Sequence, residues 1–331
     1  MSGFIDVHGH VVLEESLGAA GPVCGPELGN YSDGTTFFRV GDWRLDGVPY
    51  RESLFMQAKL RLEAMDEAGI SLQALSPNPL TYLHWIDARD AANYCKIHNE
   101  AMASLVSEHK DRFLGFASLP MQNIDMAIQE LEYSVKELNL IGGYIGTDFG
   151  TDFDDPKMDE FYAACCEFNV PLFLHPAPSG LDGPLRDPRM RKYDLDLVIE
   201  FSYEELVATS MIIFGGVTRR FPSLDICISH GGGSTMLHRS KLRLLAERRP
   251  SSPDWIREPG EFDKELDNLW FDCHVSGRLE FEFAISQLNT DRLVFGTNFG
   301  GWDSGAAHYP SEMLKKLNTN AQTLLRLDTA T

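Results

Sequence analysis

The chain has 331 residues, 43% of them hydrophobic, and a formal net charge of −20 at pH 7. This length allows either two ordinary domains or one large α/β barrel. The strong negative charge argues against nucleic acid or an anionic membrane surface as a partner, because both are themselves negatively charged.

The amino-terminal stretch MSGFIDVHGH lacks the basic and apolar regions of a secretory leader. No run of about 18 apolar residues, the length of a membrane-spanning helix, occurs in the chain. The six cysteines are scattered without CxxC spacing, which is typical of reduced thiols. We therefore expect a cytoplasmic protein that is not inserted in a membrane.

Short apolar segments recur along the chain, and their interiors are almost continuously apolar. This pattern is typical of parallel strands covered on both faces. In chain order the eight segments are residues 4–9, 71–76, 113–119, 142–147, 171–176, 225–230, 269–275 and 293–298. Amphipathic segments long enough for crossover helices lie between them, at 53–69, 90–109, 125–139 and 157–168. The alternation predicts an α/β fold, a (β/α)8 TIM barrel, with residues 1–331 in a single domain.

Two segments are too long for simple barrel connections. Residues 11–52 follow the first predicted strand, and residues 177–200 follow the fifth. Loops that follow barrel strands lie on the catalytic face, so we expect both long loops to form lids or substrate walls.

Several predicted strands end in polar residues that can bind a metal. His8 and His10 are two positions apart on the first strand, so their side chains point to the same side. His175 ends the fifth strand, His230 follows the sixth, and Asn298 ends the eighth. Each histidine alone also fits an ordinary hydrogen-bonded strand end. Because the carboxyl ends of barrel strands converge, the four histidines together predict a metal site at the barrel mouth.

A set of motifs spread over almost the whole chain resembles one family. The motifs are IDVHGH (5–10), ALSPNP (74–79), RFLGFASLPMQ (112–122), FLHP (173–176), MIIFGGVTRRFPSL (211–224), SHGGG (229–233) and FGT (295–297). They resemble the amidohydrolase superfamily, in particular the branch of aminocarboxymuconate semialdehyde decarboxylase. The chain is also similar to γ-resorcylate decarboxylase and 4-oxalomesaconate hydratase. The resemblance implies a metal-dependent barrel enzyme that acts on a small carboxylate.

The resemblance also implies roles for individual residues. His8, His10 and His175 correspond to ligands of Zn²⁺, or of another divalent ion such as Mn²⁺. His230 corresponds to the acid/base histidine beside the metal. Asn298 stands where this branch normally has a carboxylate, and we treat it as a candidate catalytic residue.

Further candidates concern substrate binding and assembly. Arg39 corresponds to an arginine that binds the substrate carboxylate, although a solvated loop arginine is an equal alternative. Lys241 stands where the family has an arginine that reaches into a neighbouring subunit's site, which implies a homodimer or larger assembly. His274 and Asp272, at the end of the seventh strand, are expected to form a polar wall of the substrate site and to support the metal ligands rather than bind the metal. Glu204 is a candidate for orienting a metal-bound histidine.

Asn298 allows three interpretations. An amide oxygen coordinates zinc weakly and cannot take a proton from bound water, so an aspartate would serve better as a general base. The asparagine is therefore a natural specialisation, an engineered replacement of aspartate, or a sign of lost activity. The unusual continuation FGGWD favours natural specialisation, because the whole turn differs from the relatives.

The leading functional hypothesis is a zinc-dependent, non-oxidative decarboxylase of an unsaturated or phenolic carboxylate from aromatic catabolism. In it, His230 delivers a proton to the carbon that loses CO2, and Arg39 holds a carboxylate. An alternative is a metal-dependent hydratase or C–C hydrolase of a muconate-type ring-cleavage product. A third is a catalytically inactive barrel that binds a ligand or partner. Release of CO2 separates the first two.

Overall fold

The computed structural model describes residues 3–178, 180–181, 187–275, 277–304 and 311–327. The strands are β1 (Phe4–Val11), β2 (Glu27–Asn30), β3 (Thr36–Val40), β4 (Trp43–Asp46), β5 (Ile70–Pro77), β6 (Phe113–Gly115), β7 (Ala117–Ser118), β8 (Gly143–Ile145), β9 (Leu172–Leu174), β10 (Ile226–Ile228), β11 (Trp270–Asp272) and β12 (Leu293–Val294). The helices are α1 (Gly21–Cys24), α2 (Ala58–Ala68), α3 (Ala88–Glu108), α4 (Ile124–Lys136), α5 (Asp159–Glu167), α6 (Ile199–Phe214), α7 (Val217–Arg220), α8 (Thr235–Arg248), α9 (Glu261–Asp267), α10 (Arg278–Gln287) and α11 (Ser311–Leu324).

The parallel strands are arranged in a ring. β1 pairs with β5 and β5 with β6, while β7, β8, β9, β10, β11 and β12 pair in that order. β6 and β7 are two parts of one strand interrupted at Phe116, whose N–H donates to the Leu75 carbonyl at 2.8 Å. Where β1 and β12 meet, the Val7 N–H of β1 donates to the carbonyl of Phe295, just after β12, at 2.9 Å. These bonds confirm the predicted (β/α)8 barrel, with β6 and β7 together as its third strand.

The strands and helices form where the sequence supplies matching signals. All three residues of β9 are fully buried, as expected for a strand covered on both faces. Asp87 caps α3 by accepting a hydrogen bond from the Arg89 N–H, and Asn123 caps α4 in the same way through Met126. α2 ends at Gly69, whose φ of 72° lies in the left-handed region that glycine adopts without strain.

The long segment after β1 is more regular than a loop. It contains an antiparallel sheet in the order β2-β3-β4. Phe38 and Val40 of β3 are fully buried, and the ring of Phe38 packs against Tyr50 with 5.0 Å between ring centroids. The sheet therefore has a small apolar core of its own.

The segment after β9 is described at residues 175–178, at 180–181 and from 187 onward. Residues Pro188–Leu197 form tight helical turns that lead into α6. In the described parts of the chain, no helix is both long and apolar enough to cross a bilayer.

Candidate metal centre and active site

His8 lies on β1 and presents one ring nitrogen that has no proton. Its Nδ1 is 2.8 Å from Oδ2 of Asp272, at the end of β11, and both side chains are buried. Burial lowers the pKa of His8, outweighing the attraction of Asp272, while the nearby histidines lower the pKa of Asp272 despite its own burial. Nδ1–H of a neutral imidazole therefore donates to a carboxylate, which leaves the Nε2 lone pair free.

His10 has the same tautomer. Its Nδ1 lies 3.1 Å from the Pro77 carbonyl and 2.9 Å from the Ser76 hydroxyl. Because a carbonyl oxygen only accepts, Nδ1 carries the proton and Nε2 has the lone pair. Burial and the neighbouring His8 hold the pKa of His10 well below its usual value of 6.5.

His175, just after β9, completes the set. Its Nδ1–H donates to the Pro176 carbonyl at 2.6 Å, and its Nε2 is buried without a hydrogen-bond partner among the described residues. Burial and the surrounding histidines hold the pKa of His175 well below the usual value. A buried lone pair with no donor facing it costs free energy unless a cation occupies the site.

The three lone pairs fit a divalent ion. His8 Nε2 and His10 Nε2 are only 3.1 Å apart, and two lone pairs at that distance repel unless a positive charge lies beside both. The rings of His10 and His175 are 4.7 Å apart, and those of His8 and His175 are 5.0 Å apart. Neutral imidazoles with converging nitrogens are the ligands that zinc and other transition metals prefer. The Nδ1 contacts of the three rings leave each Nε2 available to an ion.

His230, just after β10, differs from these three in its electrostatics. Its Nδ1 lies 2.6 Å from Glu205 Oε1, and that same oxygen accepts a 2.5 Å hydrogen bond from Ser229. Burial opposes a charge on His230, but the carboxylate of Glu205 outweighs it and raises the pKa of His230 to about 9. Potential ligand nitrogens of His8, His175 and His230 lie within 4.8 Å of one another, so the proton on His230 is next to the candidate metal position.

Asn298 belongs to a second polar group on the same side of the barrel. Its Nδ2 donates to Asp303 Oδ1 at 2.6 Å, while Asp303 Oδ2 is 3.0 Å from His274 Nε2. Burial alone would raise the pKa of Asp303, but the hydrogen bond and charge of His274 lower it to about 2. Because a carboxylate only accepts, the Asn298 amide must turn its nitrogen towards Asp303, which frees its oxygen for another partner.

A cavity of about 450 Å³ opens beside these groups. Its polar lining comes from Glu205, His230, His274, Asn298 and Asp303, together with Ser202 and Glu280. The rest is mostly apolar: Leu197, Val198, Phe201, Met236, Leu237, Val275, Phe283 and Trp302. An apolar wall with a few converging polar groups is the usual form of a small-molecule site.

Two residues predicted to bind substrate lie elsewhere. Arg39 is on β3, where its guanidinium contacts Glu27 at 2.7 Å and the backbone carbonyls of Val23 and Gly41 at 2.7 and 3.0 Å. It does not line the cavity. Lys241 is exposed on α8 and also lies outside the cavity lining. The structure brings His274 to the cavity but not these two residues.

Asp272, expected to support the site rather than to bind the metal, contacts His8. Two other carboxylates of the site were not predicted in their observed positions. The partner of His230 is Glu205, whereas the sequence pointed to its neighbour Glu204. Asp303 was not expected at all. Helical spacing offered a weak signal for Glu205, since Glu205 and the buried Thr209, Ile212 and Ile213 mark the inward face of α6.

Comparison with known proteins gives one family. A family model described as Amidohydrolase matches residues 5–326. The 2-amino-3-carboxymuconate-6-semialdehyde decarboxylase of Dictyostelium discoideum is 29% identical over 261 residues, which cover 77% of this chain and 70% of that protein. The 2-keto-4-carboxy-3-hexenedioate hydratase of a Sphingobium species is 24% identical over 263 residues, covering 75% of this chain and 72% of that protein.

A solved structure shares the fold over nearly the whole chain. Dihydroxybenzoic acid decarboxylase from Polaromonas sp. JS666, crystallised with manganese and the inhibitor 2-nitroresorcinol, superposes with a TM-score of 0.73. The two chains are 24% identical, and the match covers 99% of this chain and 98% of that one.

Proposed function

The chain belongs to the amidohydrolase family and is a metal-dependent enzyme of that family, and from this premise we propose that it is a non-oxidative decarboxylase. Its substrate is an unsaturated or phenolic carboxylic acid derived from an aromatic compound. The observation that carries this proposal is the arrangement of three imidazoles, each with Nδ1 facing an oxygen, next to His230, whose Nδ1 contacts the carboxylate of Glu205. A decarboxylase needs these two elements, because it must stabilise negative charge on oxygen and protonate carbon.

The proposed ligands of the divalent ion are His8 Nε2, His10 Nε2 and His175 Nε2. Zinc is the proposed ion because it favours neutral imidazole nitrogens, with manganese as the alternative. When bound, the ion supplies a Lewis acid that stabilises negative charge on a substrate carbonyl, phenolate or carboxylate oxygen.

His230 is the proposed proton donor. When the C–C bond to the departing CO2 breaks, the electron pair of that bond stays on the ring or chain carbon. His230 Nε2–H then transfers its proton to that carbon. Glu205 keeps the imidazolium oriented and charged through the 2.6 Å contact to Nδ1. Solvent then returns a proton to His230. Phe201, Met236 and Phe283 exclude water from one side of the cavity, which strengthens the electrostatic interactions inside it.

Hydration of a double bond, or hydrolysis of a C–C bond, in a muconate-type product is the second candidate function. Two observations favour it: a hydratase is among the relatives, and Asn298 replaces the expected carboxylate. The same imidazole cluster would serve this reaction. Formation of CO2 distinguishes decarboxylation from both alternatives.

We also propose that the chain functions as a homo-oligomer. Val198, Leu237, Phe283 and Trp302 line the cavity and are exposed. Exposed apolar side chains grouped around a polar site are typical of an interaction surface. A second copy of the chain is the occupant that the family resemblance implies.

The test of the proposed function uses protein stripped of metal with a chelator and then reloaded with Zn²⁺ or Mn²⁺. Reloaded protein is expected to release CO2 from a hydroxybenzoate with one carboxylate, and the stripped protein is not. His175→Asn should lose both bound metal and about a thousandfold in kcat/KM, because one of three ligands is removed.

His238→Asn is the matched control, since His238 is an exposed histidine outside the cavity lining. It should retain metal and turnover. Water addition without CO2 would favour the hydratase, and full activity of the stripped protein would refute a metal-dependent reaction.

A further inference from the structure

The carboxylate of Asp303 is built into the wall of the substrate cavity. It follows Asn298 by five residues in the turn after β12, and its side chain is 20% exposed. One oxygen accepts from Asn298 at 2.6 Å, and the other contacts His274 at 3.0 Å. Two directional contacts hold the negative charge at a fixed place in the cavity lining.

The cavity has few groups to balance a substrate carboxylate. Among the described residues that line it there is no lysine or arginine, whereas Glu205, Glu280 and Asp303 are all acidic. The two histidines in the lining, His230 and His274, each already contact a carboxylate. Away from the imidazole cluster, a substrate therefore meets mostly apolar side chains, the neutral polar groups of Ser202 and Asn298, and acidic side chains, while each histidine of the lining already contacts a carboxylate.

This distribution has different consequences for different ring substituents. A hydroxyl or amino group can donate a hydrogen bond to Asp303 without adding charge. A second carboxylate can only face Asp303 as a like charge, and the side chain of Asp303 is partly buried. The apolar side chains of the lining carry no charge that could balance it, and the nitrogens of His274 and Asn298 that face Asp303 are already in contact with that carboxylate.

We propose that Asp303 is a specificity-determining residue that restricts the site to ring acids with one carboxylate and an uncharged hydrogen-bond donor. Ring acids with a second carboxylate are rejected. This inference rests on the proposed function only in assuming that a ring-bearing carboxylic acid enters the cavity.

The test measures binding to the metal-loaded protein by isothermal titration calorimetry, with kcat/KM replacing Kd for any compound that is turned over. Two matched pairs differ only in a hydroxyl or a carboxylate at one ring position. They are 2,5-dihydroxybenzoate with 4-hydroxyisophthalate, and 2,4-dihydroxybenzoate with 2-hydroxyterephthalate. In the wild type we expect at least one pair to favour the dihydroxybenzoate by about tenfold or more. Asp303→Asn should reduce that preference by about tenfold, mainly through tighter binding of the diacid.

Glu280→Gln is the matched control, because it removes the same charge from an exposed position in the cavity lining. It should leave the preference within about twofold of wild type, since solvent screens an exposed charge. An equal change in Glu280→Gln would assign the preference to the general field of the cavity and overturn the role of Asp303. Metal content and thermal stability are checked for each variant, and Asp303→Ser replaces a variant that does not fold.

Wild-type protein that binds both members of both pairs equally also refutes the inference, whatever the variants do. Failure of the proposed function has a different outcome. In that case no compound releases CO2, yet the binding preference and its dependence on Asp303 remain measurable.

Discussion

The contact between Asn298 and Asp303 gives the amide at the end of the last barrel strand a structural reason. Asp303 offers only acceptors, and the Asn298 Nδ2 donates to it at 2.6 Å. An aspartate at position 298 would place two carboxylates at hydrogen-bond distance. The pair therefore supports natural specialisation, because the turn that follows contains a partner suited to the amide.

Asn298→Asp is expected to lower kcat/KM by about tenfold or more on a substrate with one carboxylate, and to lower the thermal unfolding temperature. Both effects arise because two like charges face each other across the former hydrogen bond. Steady-state kinetics and thermal denaturation of the metal-loaded variant measure them.

The exchange variant Asn298→Asp/Asp303→Asn is the control, since it restores one amide and one carboxylate to the pair. It should recover most of the lost unfolding temperature and part of the lost activity. Higher activity in Asn298→Asp alone would contradict this account and identify the amide as a deactivating replacement.

Histidines at strand ends could be located from the sequence, whereas the carboxylates of Glu205 and Asp303 beside them could not. Each of the four histidines lies at or next to a barrel strand: His8, His10, His175 and His230. The alternation of side chains along a strand and the convergence of strand ends at the barrel mouth determine where such side chains point. Asp303 lies in a turn after β12, and its position depends on the path of that turn. No residue pattern in FGGWD specifies that path, so the contact between Asp303 and Asn298 could not be predicted from the sequence.

At the scale of single elements, the buried strands were easier to predict than the segment after β1. The apolar run 171–176 marked β9, although only Leu172–Leu174 forms the ladder. The segment 11–52 was expected to be a loop on the catalytic face, but it forms the sheet β2-β3-β4. Its antiparallel pairing buries Phe38 and Val40, while Arg39 between them points to Glu27. Alternation in FFRV was the available signal, because strand side chains alternate between faces.

Helix α3 contains a buried histidine that should make stability depend on pH. His98 is stacked on Tyr94 with 5.8 Å between ring centroids, and neither ring nitrogen has a hydrogen-bond partner among the described residues. Burial lowers the pKa of His98 from 6.5 to about 4. The unfolded chain therefore binds a proton between these two values that the folded chain does not, and the free energy of unfolding decreases as pH falls through this window.

His98→Phe should weaken this pH dependence, because phenylalanine fills the same space without titrating. Between about pH 7.5 and about pH 5, the wild type should lose about 2 kcal/mol more free energy of unfolding than the variant. Urea denaturation of both proteins at each pH measures the difference. Identical losses would show that His98 is protonated in the folded protein or is exposed to solvent.

For the whole molecule, the number of barrel strands could be predicted and the way the ring closes could not. Eight apolar runs alternating with amphipathic segments specify the count. The interruption at Phe116 and the hydrogen bond from Val7 to Phe295 depend on local twist and stagger. These details determine how far each strand end reaches into the site, and therefore which polar groups meet there.

The proposed homo-oligomer is a prediction about the whole molecule. Leu237, at the cavity edge, is 71% exposed, and Lys241 lies one turn further along the same face of α8. Light scattering after size exclusion should give at least twice the 37.1 kDa mass of one chain. Leu237→Glu should shift the mass towards one chain, because the substitution introduces a charge into an apolar contact.

Leu60→Glu is the matched control, since Leu60 is also an exposed leucine but lies on α2 and outside the cavity lining. Its mass should equal that of the wild type. A wild-type mass of one chain would refute the oligomer and leave Lys241 without a partner site to enter.

The contact between His8 and Asp272 joins residues 264 positions apart in the chain. While the protein is being made on the ribosome, His8 and His10 emerge early, but Asp272, which orients His8, and β12, which closes the ring, emerge near the end. A nascent chain or a prematurely terminated product therefore has histidines without a preorganised ion pocket. Ion binding would then occur late in folding, only in chains whose amino-terminal and carboxy-terminal segments have already packed together.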